Sequence, residues 1–144
     1  GRTPSRRVKV TSMPKDEERL EVVPDYDFPL ESPSAKELAA TLRVGNLVLN
    51  LKALPEPVVE IFRDQLVPLR DQKAPQLVCI LTRASRYRYY KIPFAVIAPL
   101  LQWVRMTDEK RPRWRLNLVP SRHLLVARNG PRVENIDLRP YFNR

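Results

Sequence analysis

The sequence predicts an α+β fold: a β-α-β-α core followed by a β-hairpin region, its helices packed on one mainly antiparallel sheet, with an extended N-terminal arm. Three observations predict it. Apolar residues alternate with polar ones at period two in several stretches, recur at helical spacing in the stretches between them, and thin out upstream of residue 41. A chain of 144 residues with 43% hydrophobic content fills one compact core, and is too short for two ordinary ones.

Residues 1–40 contain five prolines, with seven Lys or Arg set against eight Asp or Glu. Such a stretch buries little surface against its ordering entropy, so it reads as an extended, proline-rich arm, and 41–144 as a basic α+β domain. In RVGNLVLNLKAL, Val44, Leu47, Leu49 and Leu51 form the apolar set of a first strand. PEPVVEIFRDQLVPLRDQ follows, where Val58, Ile61, Phe62 and Leu66 fall at helical spacing and Pro57 suits a first helical turn, which predicts a helix ending near Pro68. QLVCILTRASRYRYYKI begins as a continuous buried strand and runs on into a basic, aromatic segment. Pro93 then opens PFAVIAPLLQWVRM, a helix apolar almost all round that belongs in a core or against a partner, with Pro99 kinking it.

The last third reads as β structure. RWRLNLVP alternates Trp114, Leu116 and Leu118 with Arg113, Arg115 and Asn117, and Asn129-Gly130 divides two apolar runs as a hairpin signal. Pro131 directly after that pair leaves a wider turn open. LRPYFNR reads as an aromatic-tipped extension.

The formal charge of +10 lies wholly in the second part, because residues 41–144 hold 19 Lys or Arg against eight Asp or Glu, a net of 19 − 8 = +11. Nineteen of all the cations are arginine, whose planar fork fits phosphate oxygens and stacks on rings. A domain of this kind points to a polyanionic partner, most often nucleic acid. A charge kept for solubility is the plainer reading of the same numbers.

Enzyme chemistry finds few residues to use. His123, the single histidine, sits beside a strand, and the three glycines are too scattered for a phosphate-binding loop. One His and one Cys fall short of a zinc site. Cys79, within LVCIL, reads as a small buried thiol in a reducing compartment. Asp108 and Glu109 are adjacent carboxylates in the polar connector TDEKRPR and read as a solvated turn. The longest apolar run, IPFAVIAPLLQWV, is 13 residues and carries two prolines, short of the roughly 18 needed to span a bilayer. The chain is therefore expected to be a soluble non-enzyme without cofactor, metal, membrane segment or small-molecule substrate.

Two segments carry the binding chemistry. In the first, Arg83, Arg86, Arg88 and Lys91 lie within nine residues among Tyr87, Tyr89 and Tyr90, with no acidic residue from 72 to 107. In extended backbone Tyr87, Tyr89 and Lys91 share one face, and Arg86, Arg88 and Tyr90 the other, so that one face can sit on protein while the other meets an anion. Arginines would contact phosphates and Tyr87 or Tyr90 would stack on unpaired bases. Tyrosines packed across an ordinary exposed sheet are the plainer alternative. In the second, Lys110, Arg111, Arg113 and Arg115 surround Trp114. Neither segment matches the RNA recognition motif or the GXXG loop of KH domains, which leaves recognition of shape and backbone.

The succession RVGNLVLNLKAL, PVVEIFRDQLVPLR and QLVCILTRASRYRYYKIPFAVIAPLLQWV, about residues 42–104, resembles the core of a mitochondrion-specific protein of the small ribosomal subunit. The resemblance implies a non-catalytic structural component of the ribosome in the mitochondrial matrix, bound to ribosomal RNA and to neighbouring ribosomal proteins. Two other functions fit the same features: a free-standing chaperone or regulator binding single-stranded RNA, and a protein-interaction subunit of another organellar complex using the apolar helix.

Overall fold

The computed structural model describes residues 33–84, 86–107 and 110–143. The arm expected over 1–40 lies outside these up to residue 32, and its last residues are helical. Helix α1, Ala35–Leu42, is opened by a capping box in which Glu37 N–H donates to Ser34 Oγ (3.1 Å) and Ser34 N–H donates to Glu37 Oε1 (2.9 Å). Ala35, Leu38, Ala39 and Leu42 make its apolar stripe. Asn46 ties the helix to the sheet, donating through Nδ2 to Leu42 O and accepting through Oδ1 from Gln76 N–H, each at 2.9 Å.

The fold is mixed α+β with mainly antiparallel pairing, but it has two sheets where one was expected. Strands β1 (Leu47–Lys52), β3 (Gln76–Arg83) and β4 (Arg86–Pro93) form the first in the order β1-β3-β4, with β1 and β3 parallel. Strands β2 (Val58–Phe62), β5 (Arg113–Val119), β6 (Leu124–Asn129) and β7 (Arg132–Asp137) form the second in that order, antiparallel throughout. Val44 stands exposed ahead of β1 and takes no part in it.

The stretch expected as a helix over 57–68 is β2 followed by a 3-10 helix, Arg63–Leu69. Val59 and Ile61, fully buried, oppose Leu116 and Trp114 of β5 while Val58 is exposed, so the burial follows period two. A local spacing that fitted a helix gives way to pairing with a strand some fifty residues downstream.

Most of the core lies between the sheets, where Val59, Ile61, Leu116, Leu118, Leu125 and Ala127 of the second meet Leu77, Cys79, Leu81, Tyr90 and Ile92 of the first. Helix α2, Phe94–Trp103, adds Ile97 and Leu100 to it, keeping Ala95, Ala98, Pro99 and Gln102 exposed. A smaller cluster on the far side of the first sheet joins Val48, Val78, Ile80 and Tyr87 to α1. Strand β3 is thus covered on both faces, which is why LVCIL is continuously apolar.

The β6–β7 hairpin is tight despite Pro131. Asn129 pairs with Arg132, leaving Gly130 and Pro131 as a two-residue loop with Gly130 at φ +62°. A turn needing positive φ only at its first central position accepts proline at the second. The C-terminal segment is no free extension: Phe142 bridges to Tyr90, and Asn143 holds the β4 edge, its N–H donating to Tyr89 O (2.8 Å) and its Oδ1 accepting from Tyr89 N–H (2.9 Å).

Candidate nucleic-acid interface

The first basic segment becomes β4, and the parity expected for it holds: Arg88 and Tyr90 oppose Leu81 and Cys79, while Tyr87 opposes Thr82 on the other face. The expected use of those faces does not hold, because both are covered by protein. Arg88 is 1% exposed, its Cζ 5.3 Å from the Phe142 ring centroid. Tyr90 is fully buried and its hydroxyl lies 2.8 Å from His123 Nδ1. Tyr87 is buried against α1, and burial, ahead of the nearby Tyr89 and Glu37, pushes its phenol up from the ordinary 10.0. These three therefore cannot present themselves to a nucleic acid as the sequence reading placed them. Lys91 is half-buried with Nζ 5.9 Å from the Tyr89 ring, and it is Tyr89, unselected from the sequence, that keeps partial exposure.

What remains outward is the hairpin end. Arg83 pairs with Arg86 across a two-residue connection in which Ala84 takes φ +56°, and both arginines are exposed. The parallel register sets the exposed Lys52 of β1 opposite Thr82, beside them. Nothing in the sequence marks Lys52, since only the β1–β3 pairing brings it to this end.

The second segment is placed the other way round. Trp114, expected as a stacking residue, faces inward and packs against the core. Arg113 and Arg115 stand on the outer face of the second sheet, directly across from Phe62 and Glu60 of β2. Arg115 Nε donates to Glu60 Oε2 at 2.8 Å and Arg113 Nη1 reaches the same oxygen at 3.4 Å. The Arg115 hydrogen bond is the main cause that draws the Glu60 carboxyl below its ordinary 4.5. Arg111 binds Asp64 in bidentate fashion, Nε to Oδ2 and Nη2 to Oδ1, both 2.8 Å, which holds that carboxyl below its ordinary 3.8. The aromatic residue of this surface is Phe62, with Arg111 Cζ 3.7 Å and Arg113 Cζ 4.5 Å from its ring centroid. Reading β2 as a helix concealed Phe62, and Arg128 joins the face only through the β5–β6 pairing, its Nη1 donating to Asn117 Oδ1 at 2.9 Å. Lys110 and Arg63 are exposed nearby, Arg63 N–H donating to Pro112 O at 3.0 Å.

Among the described residues no group of three or more His, Cys, Asp or Glu is gathered as a metal site would require. Asp108 and Glu109 lie outside them. Burial pushes the Cys79 thiol up to about 12, so it is held as an unreactive thiol at neutral pH. No helix among the described residues is long and apolar enough to cross a membrane. No protein-family model matches the chain, and neither does any curated protein or solved structure.

Proposed function

We propose that this chain is a non-catalytic structural subunit of a ribosome, of the mitochondrial kind its sequence resembles, which binds ribosomal RNA through outward arginines and neighbouring proteins through its N-terminal arm. The observation that carries the reading is the group Arg111, Arg113, Arg115 and Arg128 along the open face of the second sheet, with Lys110 and Arg63 exposed next to Arg111 and Phe62 in the chain. Among the described residues Glu60 and Asp64 pair with these arginines, and over residues 41–144 nineteen Lys or Arg stand against eight Asp or Glu, an excess that phosphates would relieve. Arg83, Arg86 and Lys52 offer a second contact at the hairpin end. The mitochondrial matrix as its compartment follows from the resemblance.

The test is sedimentation of the native protein in a sucrose gradient before and after nuclease treatment. Co-migration with ribosomal particles, lost on RNA digestion, is the expected result. Migration at the size of the free protein in an untreated extract would overturn the ribosomal reading.

A further inference from the structure

The geometry around Phe62 points to a platform for an unpaired base: the Arg111 guanidinium is held over the ring, 3.7 Å from its centroid, where it can stack on a nucleobase, making single-stranded RNA the substrate of this surface. The inference rests on the nucleic-acid reading above and names the strand form that reading leaves open.

A guanidinium on an exposed side chain ordinarily samples many orientations, and stacking would have to restrict them. At Arg111 the restriction is already made. Two charged hydrogen bonds of 2.8 Å to Asp64 fix its plane, and the Phe62 ring supports it with a Cζ-to-centroid distance of 3.7 Å. The Arg111 side chain keeps 52% of its surface exposed. The Asp64 bonds use Nε and Nη2, so that among the described residues Nη1 stays available on the guanidinium edge for a phosphate or a base edge.

The neighbours complete a strand-binding surface. Arg113 is anchored through Nε to Arg111 O at 3.1 Å and lies against the same ring, and Arg115 keeps 49% of its side-chain surface exposed two cross-strand pairs along. Spaced along a sheet, such cations suit a backbone that passes over them while one base turns down onto the platform. In a duplex the base faces are stacked on each other and out of reach, so only an unpaired strand can use the guanidinium plane. An acidic peptide would engage the charges and gain nothing from that plane.

The experiment measures binding of the full chain to a fluorescent 12-nucleotide RNA, to the same sequence as a duplex, and to poly-glutamate of matched charge, for the wild type, Arg111→Lys and Phe62→Leu. Arg111→Lys keeps the charge and loses the plane; Phe62→Leu keeps an apolar support and loses the ring. The wild type is expected to favour the single strand, and both variants to weaken single-strand binding about tenfold, with duplex binding unchanged and the salt slope of Arg111→Lys unchanged. Single-strand binding by Arg111→Lys at wild-type strength, or an equal loss on the duplex, would overturn the platform while leaving RNA binding in place. Wild-type binding to poly-glutamate as strong as to RNA, or no binding of either RNA form, would overturn the nucleic-acid reading and the platform with it.

Discussion

The segments RASRYRYYK at 83–91 and KRPRWR at 110–115 look alike in composition, each threading arginines through aromatic residues, yet folding uses them in opposite ways. The first lies between α1 and the second sheet, so that Tyr87, Arg88 and Tyr90 become interior residues, Tyr89 and Lys91 are half-buried, and only its hairpin end is exposed. The second forms a strand covered on one side, which turns Trp114 inward and leaves Arg113 and Arg115 beside Phe62 on the open side. A cation-rich sequence can thus offer its charges to a partner only where one face of its strand stays uncovered. The number of layers packed on the strand decides this, and that is a property of the whole topology.

The sharpest way to break the comparison is to make one change in both segments. Arg88→Gln is expected to cost on the order of 3 kcal/mol in denaturant unfolding, because it removes the packing of a buried stem and its contact with the Phe142 ring. Arg115→Gln, on the open face, should stay within about 0.5 kcal/mol of wild type. Equal costs would show that both segments are surface strands. A smaller effect is expected from Tyr90→Phe, about 1 kcal/mol, since it removes only the hydroxyl paired with His123 Nδ1 in an otherwise retained ring. An unchanged unfolding midpoint would place that hydroxyl in water.

Ala84→Gly probes the one part of the first segment that remains outward. Ala84 occupies left-handed backbone at φ +56°, so glycine should stabilise the hairpin by up to about 1 kcal/mol, provided its greater freedom in the unfolded chain does not cancel the gain. Destabilisation would mean that the alanine methyl makes packing contacts of its own.

The smallest expected effect is electrostatic and belongs to the second segment. Arg111's hydrogen bonds depress the Asp64 pKa below 3.8, and a depressed carboxylate contributes its stabilisation above the unfolded value and loses it as pH falls through the folded one. The Arg111–Asp64 pair should therefore persist at neutral pH and dissolve only as acidification passes through the lowered pKa of Asp64. A carboxyl NMR titration of Asp64 should give a midpoint below 3.8, moving up in Arg111→Gln; a midpoint unaffected by that substitution would show the pair is not formed in solution.

The legible parts of the sequence were those settled by neighbours along the chain. The continuous apolar run in QLVCILTR and the alternation in RWRLNLV gave β3 and β5, and Asn129-Gly130 gave the β6–β7 hairpin. The parity of β4 was equally plain, but the burial of Arg88 beside the C-terminal Phe142 could not be read from it. The Ser34–Glu37 capping box with its stripe of Ala35, Leu38, Ala39 and Leu42 was readable, and was obscured by the prolines and mixed charges upstream. Strand β2 was obscured for a physical reason: Val58, Ile61 and Phe62 satisfy a helical period, and only the β5 partner selects the strand that buries Val59 and Ile61. Phe62 and Arg128 reached the candidate interface through those long-range pairings, which no local pattern encodes.

The most direct measurement is the salt dependence of single-stranded RNA affinity for wild type and for the Arg111→Gln, Arg115→Gln double variant. If the open face of the second sheet carries the anion contacts, the double variant folds normally, binds more weakly, and flattens the slope of log affinity against log salt by about 1.4, two phosphate contacts on a single strand. A double variant that keeps both the wild-type affinity and the wild-type slope would contradict the account.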